Sequence, residues 1–342
     1  QEPKSATAGG AQKPLCAPEC NLPGNGDEAE FLETPPKKKA HRLRPFLEHS
    51  LGKGLPLDFV AFHAKGSPTY VDGHVRMGIA AQLATIDQGF RTIASFPELE
   101  RTPIMIGESD PEGCAACQGP PLAYRNGTMY SSYTAASFAR KHDLARRHGV
   151  NLEGALTWAF EFEDQPYFAG FRALATNGIP LPVLNVFRMF SKMGGQRVAA
   201  RSSAEVPLDA ILTAGVRGAP DVAAFASVEP NRLAVMAWHY HDDDVAGPEA
   251  AVDLAVAGLP ATARQATVTH YRIDESRSNA YAAWKRMGSP IAPTRQQYDE
   301  LEAASRLALL EEPRSASVTD GSLALTFALP RQAVSLVTIE WE

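Results

Sequence analysis

The sequence predicts an α/β region of parallel strand-helix units followed by an all-β antiparallel region, and three observations predict it. Short apolar runs at 57–62, 103–107 and 152–160 each precede an amphipathic stretch, at about 75–96, 130–148 and 183–193, and the strand starts lie roughly 46 and 49 residues apart. Short buried strands alternating with amphipathic helices pair in parallel through right-handed crossovers, which builds an open doubly wound sheet or a barrel. After Gly194-Gly195 the helical period gives way to strand-like segments at 222–228, 232–239, 265–272 and 335–341, separated by turn residues. Third, 342 residues with 44% hydrophobic, 21% charged and 8% aromatic content sit in the ordinary globular range, which excludes collagen, coiled coil and wholesale disorder.

In chain order, residues 1–40 are rich in Pro, Gly, Ala and Lys, carry the run Pro35-Pro36-Lys37-Lys38-Lys39, and have neither period, so a disordered arm is expected. Leu43, Phe46, Leu47 and Leu51 mark a short helix stopped by Gly52-Lys53-Gly54. The three strand-helix units then fill 41–195, and the antiparallel sheet domain fills 196–342. A complete eight-stranded barrel takes ~250 residues. Only about 155 separate the arm from the sheet domain. A barrel protein with this layout would carry its last three units without the first five, an N-terminally incomplete chain.

Against 33 Lys and Arg stand 39 Asp and Glu, a net charge of −6, mostly interspersed, so no footprint for nucleic acid or anionic lipid is present. No apolar run reaches the ~18 residues of a membrane span, and Gln1–Gly10 lacks the layout of an export signal. Cys16-x3-Cys20 and Cys114-x2-Cys117 have zinc-like spacing. Nothing local holds the two pairs together, so free thiols, or a short disulfide between Cys114 and Cys117, are expected instead. His239-Tyr240-His241-Asp242-Asp243-Asp244 has metal-ligand residue types, but alternation puts His239 and His241 on one strand face with an acidic turn after it, so a solvated hairpin end and no metal are expected. Val228-Glu229-Pro230-Asn231 reads as a turn between strands, and Asn126-Gly127-Thr128 matches a glycosylation acceptor by letters only.

The second strand ends Ile106-Gly107-Glu108-Ser109-Asp110, which places Glu108 at the C-terminal end of a buried parallel strand, the catalytic face of barrels. The first ends Phe62-His63-Ala64-Lys65-Gly66 and the third Trp158-Ala159-Phe160-Glu161-Phe162-Glu163. One mouth would thus gather Glu108, His63, Lys65, Trp158, Glu161 and Glu163, a set suited to sugars: carboxylates for glycosyl chemistry, an indole for the ring's C–H face, charged donors for hydroxyls. His63 could equally be a core histidine, Lys65 a solvated charge and Trp158 a core filler, while Glu161 and Glu163 could face solvent.

The stretches Leu57 to Gly66, Gly107-Glu108-Ser109-Asp110-Pro111, Tyr124-Arg125, Leu156-Thr157-Trp158-Ala159-Phe160 and Gly178-Ile179-Pro180-Leu181-Pro182-Val183-Leu184-Asn185 resemble glycoside hydrolase family 39. That family holds bacterial β-xylosidases and α-L-iduronidases, and the likeness, from about residue 42 onward, is greater to the former. It implies a (β/α)8 TIM barrel followed by an accessory β-sandwich, here with the barrel incomplete. It also implies Glu108 as nucleophile at the end of the seventh barrel strand, His63 and Lys65 on the sixth and Trp158 on the eighth. A carbohydrate substrate, a xylooligosaccharide, is implied, with no metal or organic cofactor. A bacterial protein of the cytoplasm or periplasm is expected, and homo-oligomer formation is left open.

The chain also departs from the family. A retaining mechanism needs two carboxyl groups ~5–5.5 Å apart, and the family takes its acid from an Asn-Glu-Pro on the fourth strand. No Asn-Glu-Pro occurs in this sequence. The expectation is a β-xylosidase impaired by the missing general acid, with a non-catalytic fragment, a carbohydrate-binding remnant and an α-L-iduronidase-like glycosidase as alternatives. Lys65 separates the sugars, since a charge pair at ~4 Å and an effective dielectric near 20 is worth about 4 kcal/mol before desolvation, available to a uronate but not to xylose.

Overall fold

A computed structural model of the protein describes residues 42–342, which belong to one compact unit, Pro36–Glu342. The expected arm, with Cys16 and Cys20, lies outside the described residues. Helix α1 (Leu43–Gly52) buries Leu47 and precedes strand β1 (Val60–His63). A hairpin of β2 (Thr69–Val71) and β3 (His74–Arg76) follows, then α2 (Ile79–Ala94), so the expected helix start near Val75 comes too early. Asp72 and Gly73 both have positive φ, at 50° and 84°, the backbone a two-residue hairpin turn requires.

Next come β4 (Ile104–Glu108), α3 (Thr128–His148), β5 (Leu152–Ala155), the two-residue strands β6 (Ala175–Thr176) and β7 (Ile179–Pro180), and α4 (Pro182–Phe190). Strands β1, β4 and β5 form a parallel sheet with β4 in the middle. The third strand stops well short of the expected Phe160. Leu156 keeps one more step, donating to Ile106 O at 2.9 Å and accepting from Ser109 N at 2.7 Å, but Phe160 O accepts from Leu174 N and Ala175 N beside β6.

Helix α2 buries Ile79, Leu83, Ile86, Phe90 and Ile93, spaced 3 or 4 apart on one stripe. Phe90 meets Phe62 edge-on at 6.0 Å between ring centroids. A Cβ on Gly89 would sit 2.6 Å from the Phe62 ring, so glycine lets the helix close on the sheet there. Helix α3 ends at Gly149, whose φ of 64° caps the helix after Arg146, Arg147 and His148 in its last turn.

The second half begins with β8 (Gln196–Val198) and α5 (Leu208–Ala214) and continues through β9 (Asp221–Glu229), β10 (Arg232–Tyr240), β11 (Ala250–Ala257), β12 (Gln265–Ile273), α6 (Ala280–Arg286), α7 (Arg295–Ser305), β13 (Ala308–Ser317), β14 (Ser322–Leu329) and β15 (Val334–Trp341). Six strands form an antiparallel sheet in the order β13-β12-β15-β10-β9-β8, and β11 pairs with β14 as a second layer. Pro230-Asn231 is the expected turn, with Glu229 paired to Arg232 across it.

Strand β10 is buried from Leu233 to Tyr240 because both of its faces are covered. Ala234, Met236, Trp238 and Tyr240 join the core shared with α2, α3 and α4, whereas Leu233 and Val235 join a second core with Val256, Leu323 and Leu325 of the outer layer. The solvated hairpin end expected at 239–244 is overturned for all but Asp244, which is exposed. His239, His241, Asp242 and Asp243 are all buried. Asp242 accepts from Tyr240 Oη at 2.6 Å and Val216 N at 2.8 Å, and Asp243 pairs with Arg76 Nε at 2.5 Å. Among the described residues no cluster of three His, Cys, Asp or Glu is placed to hold a metal, and no helix is long and apolar enough to cross a membrane.

One buried charge works against this packing. Lys141 of α3 is 3% exposed, and among the described residues its Nζ meets only Ser137 Oγ, at 3.4 Å. Desolvation pushes the ammonium pKa down to about 8, only partly opposed by the more distant Asp110. A folded pKa below the unfolded one destabilises the protein fully below pH 8, and the penalty fades as pH rises from 8 towards the unfolded value. Lys141→Met is therefore expected to raise unfolding stability at pH 7 by about 3 kcal/mol at most, with the gain shrinking towards pH 10. Urea unfolding of both proteins at the two pH values checks this.

Candidate active site

The site grows out of the parallel ladder. Beyond β1, Ala64 N donates to Glu108 O at 2.9 Å and Gly66 N to Asp110 O at 3.2 Å, so two backbone bonds bracket Lys65 and fix it beside the end of β4. Gly66 is required at that spot, since a Cβ there would lie 2.4 Å from Pro111 O. Gln82 of α2 ties the layer below, donating from Nε2 to Ala64 O at 3.1 Å and Asp110 O at 3.0 Å while its Oε1 accepts from Tyr133 Oη at 2.9 Å.

Lys65 Nζ lies 2.6 Å from Glu108 Oε2 and 2.5 Å from Asp110 Oδ2. The Lys65 side chain is 13% exposed, Asp110 is fully enclosed and Glu108 is 32% exposed, so Glu108 is the carboxylate that faces outward. His63 Nδ1 stands 3.8 Å from the same Glu108 oxygen, with its ring 60% exposed. Asp110 Oδ1 accepts from Thr157 Oγ1 at 2.6 Å and Trp158 N at 3.3 Å and pairs with Arg172 at 2.8 Å. Arg172 also donates to Trp158 O, and its Nε lies 2.7 Å from Glu112 Oε1. Glu112 in turn pairs with Arg125 at 3.0 Å and accepts from Tyr124 Oη at 3.0 Å. Carboxylates and cations thus alternate: Glu108, Lys65, Asp110, Arg172, Glu112, Arg125.

Burial disfavours the Arg172 charge, but Glu112 and Asp110 outweigh it and raise the guanidinium pKa. Arg125 is wholly buried and donates to the carbonyls of Cys114, Ala115, Cys117 and Gly170. A disulfide joins Cys114 to Cys117, so the alternative of free thiols there is overturned, and with it any zinc site using them.

Of the residues picked out from sequence, the structure joins Glu108, Lys65 and His63 directly. Trp158 enters through its main chain, with the indole half-exposed rather than filling a core. Glu161 accepts from Gly178 N at 2.8 Å and Glu163 is exposed; among the described residues no hydrogen bond or ion pair links either to Glu108. Asn126 is buried, with its side-chain nitrogen donating to Phe168 O at 2.8 Å. Asp110, Glu112 and Arg172 were not picked out, although Asp110 sits in the Glu-Ser-Asp-Pro stretch itself.

The sequence matches the family described as Glycosyl hydrolases family 39 over residues 18–323. The chain belongs to family 39 of the glycosyl hydrolases. It is 25% identical over 184 residues to a β-xylosidase of Geobacillus stearothermophilus, covering 53% of this chain and 32% of that protein. It is 24% identical over 284 residues to the mouse (Mus musculus) α-L-iduronidase, covering 76% of this chain and 41% of that one. The chain therefore spans well under half the length of these curated relatives. Among solved structures, a monomeric β-xylosidase from Caulobacter crescentus CB15 superposes with a TM-score of 0.66 at 18% identity, covering 88% of this chain and 59% of that one. The fold class is the expected one, α/β followed by all-β: parallel βα units of the kind that build a (β/α)8 barrel, then a β-sandwich.

Proposed function

We propose that this family 39 chain carries the nucleophile half of a retaining glycosidase that removes terminal β-D-xylose from xylooligosaccharides. The observation that carries this is Glu108, outward-facing at the C-terminal end of the middle parallel strand, with Lys65 at 2.6 Å holding its carboxylate. Glu108 Oε would attack the anomeric carbon as the glycosidic oxygen leaves, forming a glycosyl-enzyme ester that water then opens, with net retention. The half-exposed Trp158 indole offers a platform for the sugar's C–H face, and His63 a donor for a hydroxyl. In this proposal residues 41–195 are the catalytic domain, 196–342 the accessory sandwich and 1–40 an arm.

Asp110 is the carboxyl nearest to Glu108 through Lys65, but it is enclosed and takes hydrogen bonds from Lys65, Thr157 and the Trp158 amide. It is in no position to protonate a leaving group, so the proposal places the proton donor outside the described residues. Leaving-group protonation contributes ~10²–10⁴-fold. The chain by itself is expected to release dinitrophenolate from an aryl β-xyloside while cleaving xylobiose at least ~10²-fold more slowly than an intact glycosidase. Rapid xylobiose turnover would contradict the impairment, and Glu161 and Glu163 would then be the first acids to substitute.

The likeness to mouse α-L-iduronidase favours a second reading, a uronidase. Against it, the Lys65 ammonium is already shared by two carboxylates and is only 13% exposed, which leaves little positive potential for a uronate. An aryl β-xyloside is expected to react faster than the matching α-iduronide; the reverse order would replace xylose by iduronate while keeping Glu108 as nucleophile.

A further inference from the structure

We propose that Asp110 is a positioning residue: it anchors the Lys65 ammonium from the closed side of the site so that the ammonium points at Glu108. This deepens the assignment of Glu108 as nucleophile and rests on it. Lys65 could pair with Glu108 alone in many rotamers, because a lysine stem is flexible and rotamer-rich. Asp110 removes that freedom. Its Oδ2 lies 2.5 Å from Lys65 Nζ, and its Oδ1 is clamped by Thr157 Oγ1 at 2.6 Å, Trp158 N at 3.3 Å and Arg172 at 2.8 Å. One fully enclosed carboxylate therefore fixes the segment after β5 that carries Trp158 and the cation that touches Glu108. Surface ion pairs lack this property, since nothing holds either partner from behind.

The charged and titratable groups facing this point are Lys65 and His63 beyond β1, Glu108 and Glu112 after β4, Arg172 on the loop before β6, and Tyr130, Tyr133 and Lys141 from α3. Asp110→Asn keeps the shape and the Oδ1 acceptor but removes the negative charge. As a mere bystander, Asp110 raises the negative potential at Glu108, so its removal would shift the acid limb of the Glu108 reaction to lower pH. As the anchor of Lys65, it acts the other way: the ammonium departs and the acid limb moves to higher pH. The two roles predict opposite signs.

Two readouts decide it on the full chain. The first is reductive methylation of Lys65, followed by peptide mass spectrometry, which does not depend on catalysis. Asp110→Asn is expected to speed it by about tenfold, the scale of one lost charge-assisted hydrogen bond. The second is the pH profile of covalent labelling by a 2-fluoro-β-xyloside with a dinitrophenolate leaving group. Its acid limb is expected to move upward in Asp110→Asn and in Lys65→Met, with the double variant no worse than Lys65→Met alone. Should Asp110→Asn unfold, Thr157→Val, which removes one of the three contacts that clamp Asp110 Oδ1, is expected to produce the same changes more weakly. Unchanged Lys65 methylation, or a downward move of the acid limb, overturns the anchor. Absence of labelling in the wild type would instead remove the nucleophile assignment, with the methylation rate still deciding whether Asp110 holds Lys65.

Discussion

Glu108→Gln is expected to lower release of dinitrophenolate from an aryl β-xyloside by roughly 10⁴-fold or more, since the proposal makes the Glu108 carboxylate the group that forms the glycosyl ester. The amide keeps the size of the side chain but cannot act as the attacking oxygen anion. It also gives up the charge that Lys65 meets at 2.6 Å. Because Glu108 is partly exposed, at 32%, the folded state should survive the change. Glu108→Ala with added azide supplies the control: azide attacks the anomeric carbon in place of the carboxylate, dinitrophenolate leaves, and the product is a glycosyl azide of inverted configuration. Rescue without inversion, or Gln and wild-type rates alike, would remove Glu108 from the chemistry.

Arg172→Met is expected to give the largest loss of stability, about 3–5 kcal/mol, by leaving Asp110 and Glu112 buried without a shared cation. Arg172 is 1% exposed, and its guanidinium meets Asp110 at 2.8 Å, Glu112 at 2.7 Å and the Trp158 carbonyl. Replacing an exposed partner, Arg295 beside Asp299, should by contrast barely move the unfolding curve. Arg172→Lys should recover only part of the loss, because a single ammonium cannot span both carboxylates and the carbonyl with the guanidinium's fixed fork. Urea midpoints for the three variants at pH 7 provide the comparison. A loss for Arg172→Met no larger than that for the Arg295 variant would mean that the alternating charges do not hold the strand ends together.

Much of the parallel half was legible because apolar runs such as Leu57 to Phe62 and Pro103 to Gly107 have no alternation and precede a clear helical stripe. Lys65 and Glu108 could be placed together because residues just past neighbouring parallel strands meet at one end of the sheet. Glu161 and Glu163 were counted from a strand end at Phe160, but β5 stops at Ala155, and Phe160 O already accepts from Leu174 N and Ala175 N beside β6. The hairpin β2–β3 was hidden in a short polar stretch, although its Asp72-Gly73 pair is the local signal for such a turn. Strand alternation also misled at His239 and His241, since it presumes one wet face and β10 has none. Arg172 left no mark, because it lies in an aperiodic loop and its partners are set by where that loop returns. Asp110 was visible as a residue but not as an anchor, since its role depends on Thr157 and Arg172 closing over it.

The most direct test of Glu108 as nucleophile is to incubate the chain with a 2-fluoro-β-xyloside carrying dinitrophenolate, digest it and locate the added mass. Loss of the activated leaving group needs no proton donor, so a missing acid does not interfere, and the fluorine slows hydrolysis of the ester enough for it to accumulate. A single fluoroxylosyl adduct on the peptide containing Glu108, absent from Glu108→Gln, is the predicted result. An adduct on Glu161, Glu163 or Asp110, or none while dinitrophenolate is released, would contradict it.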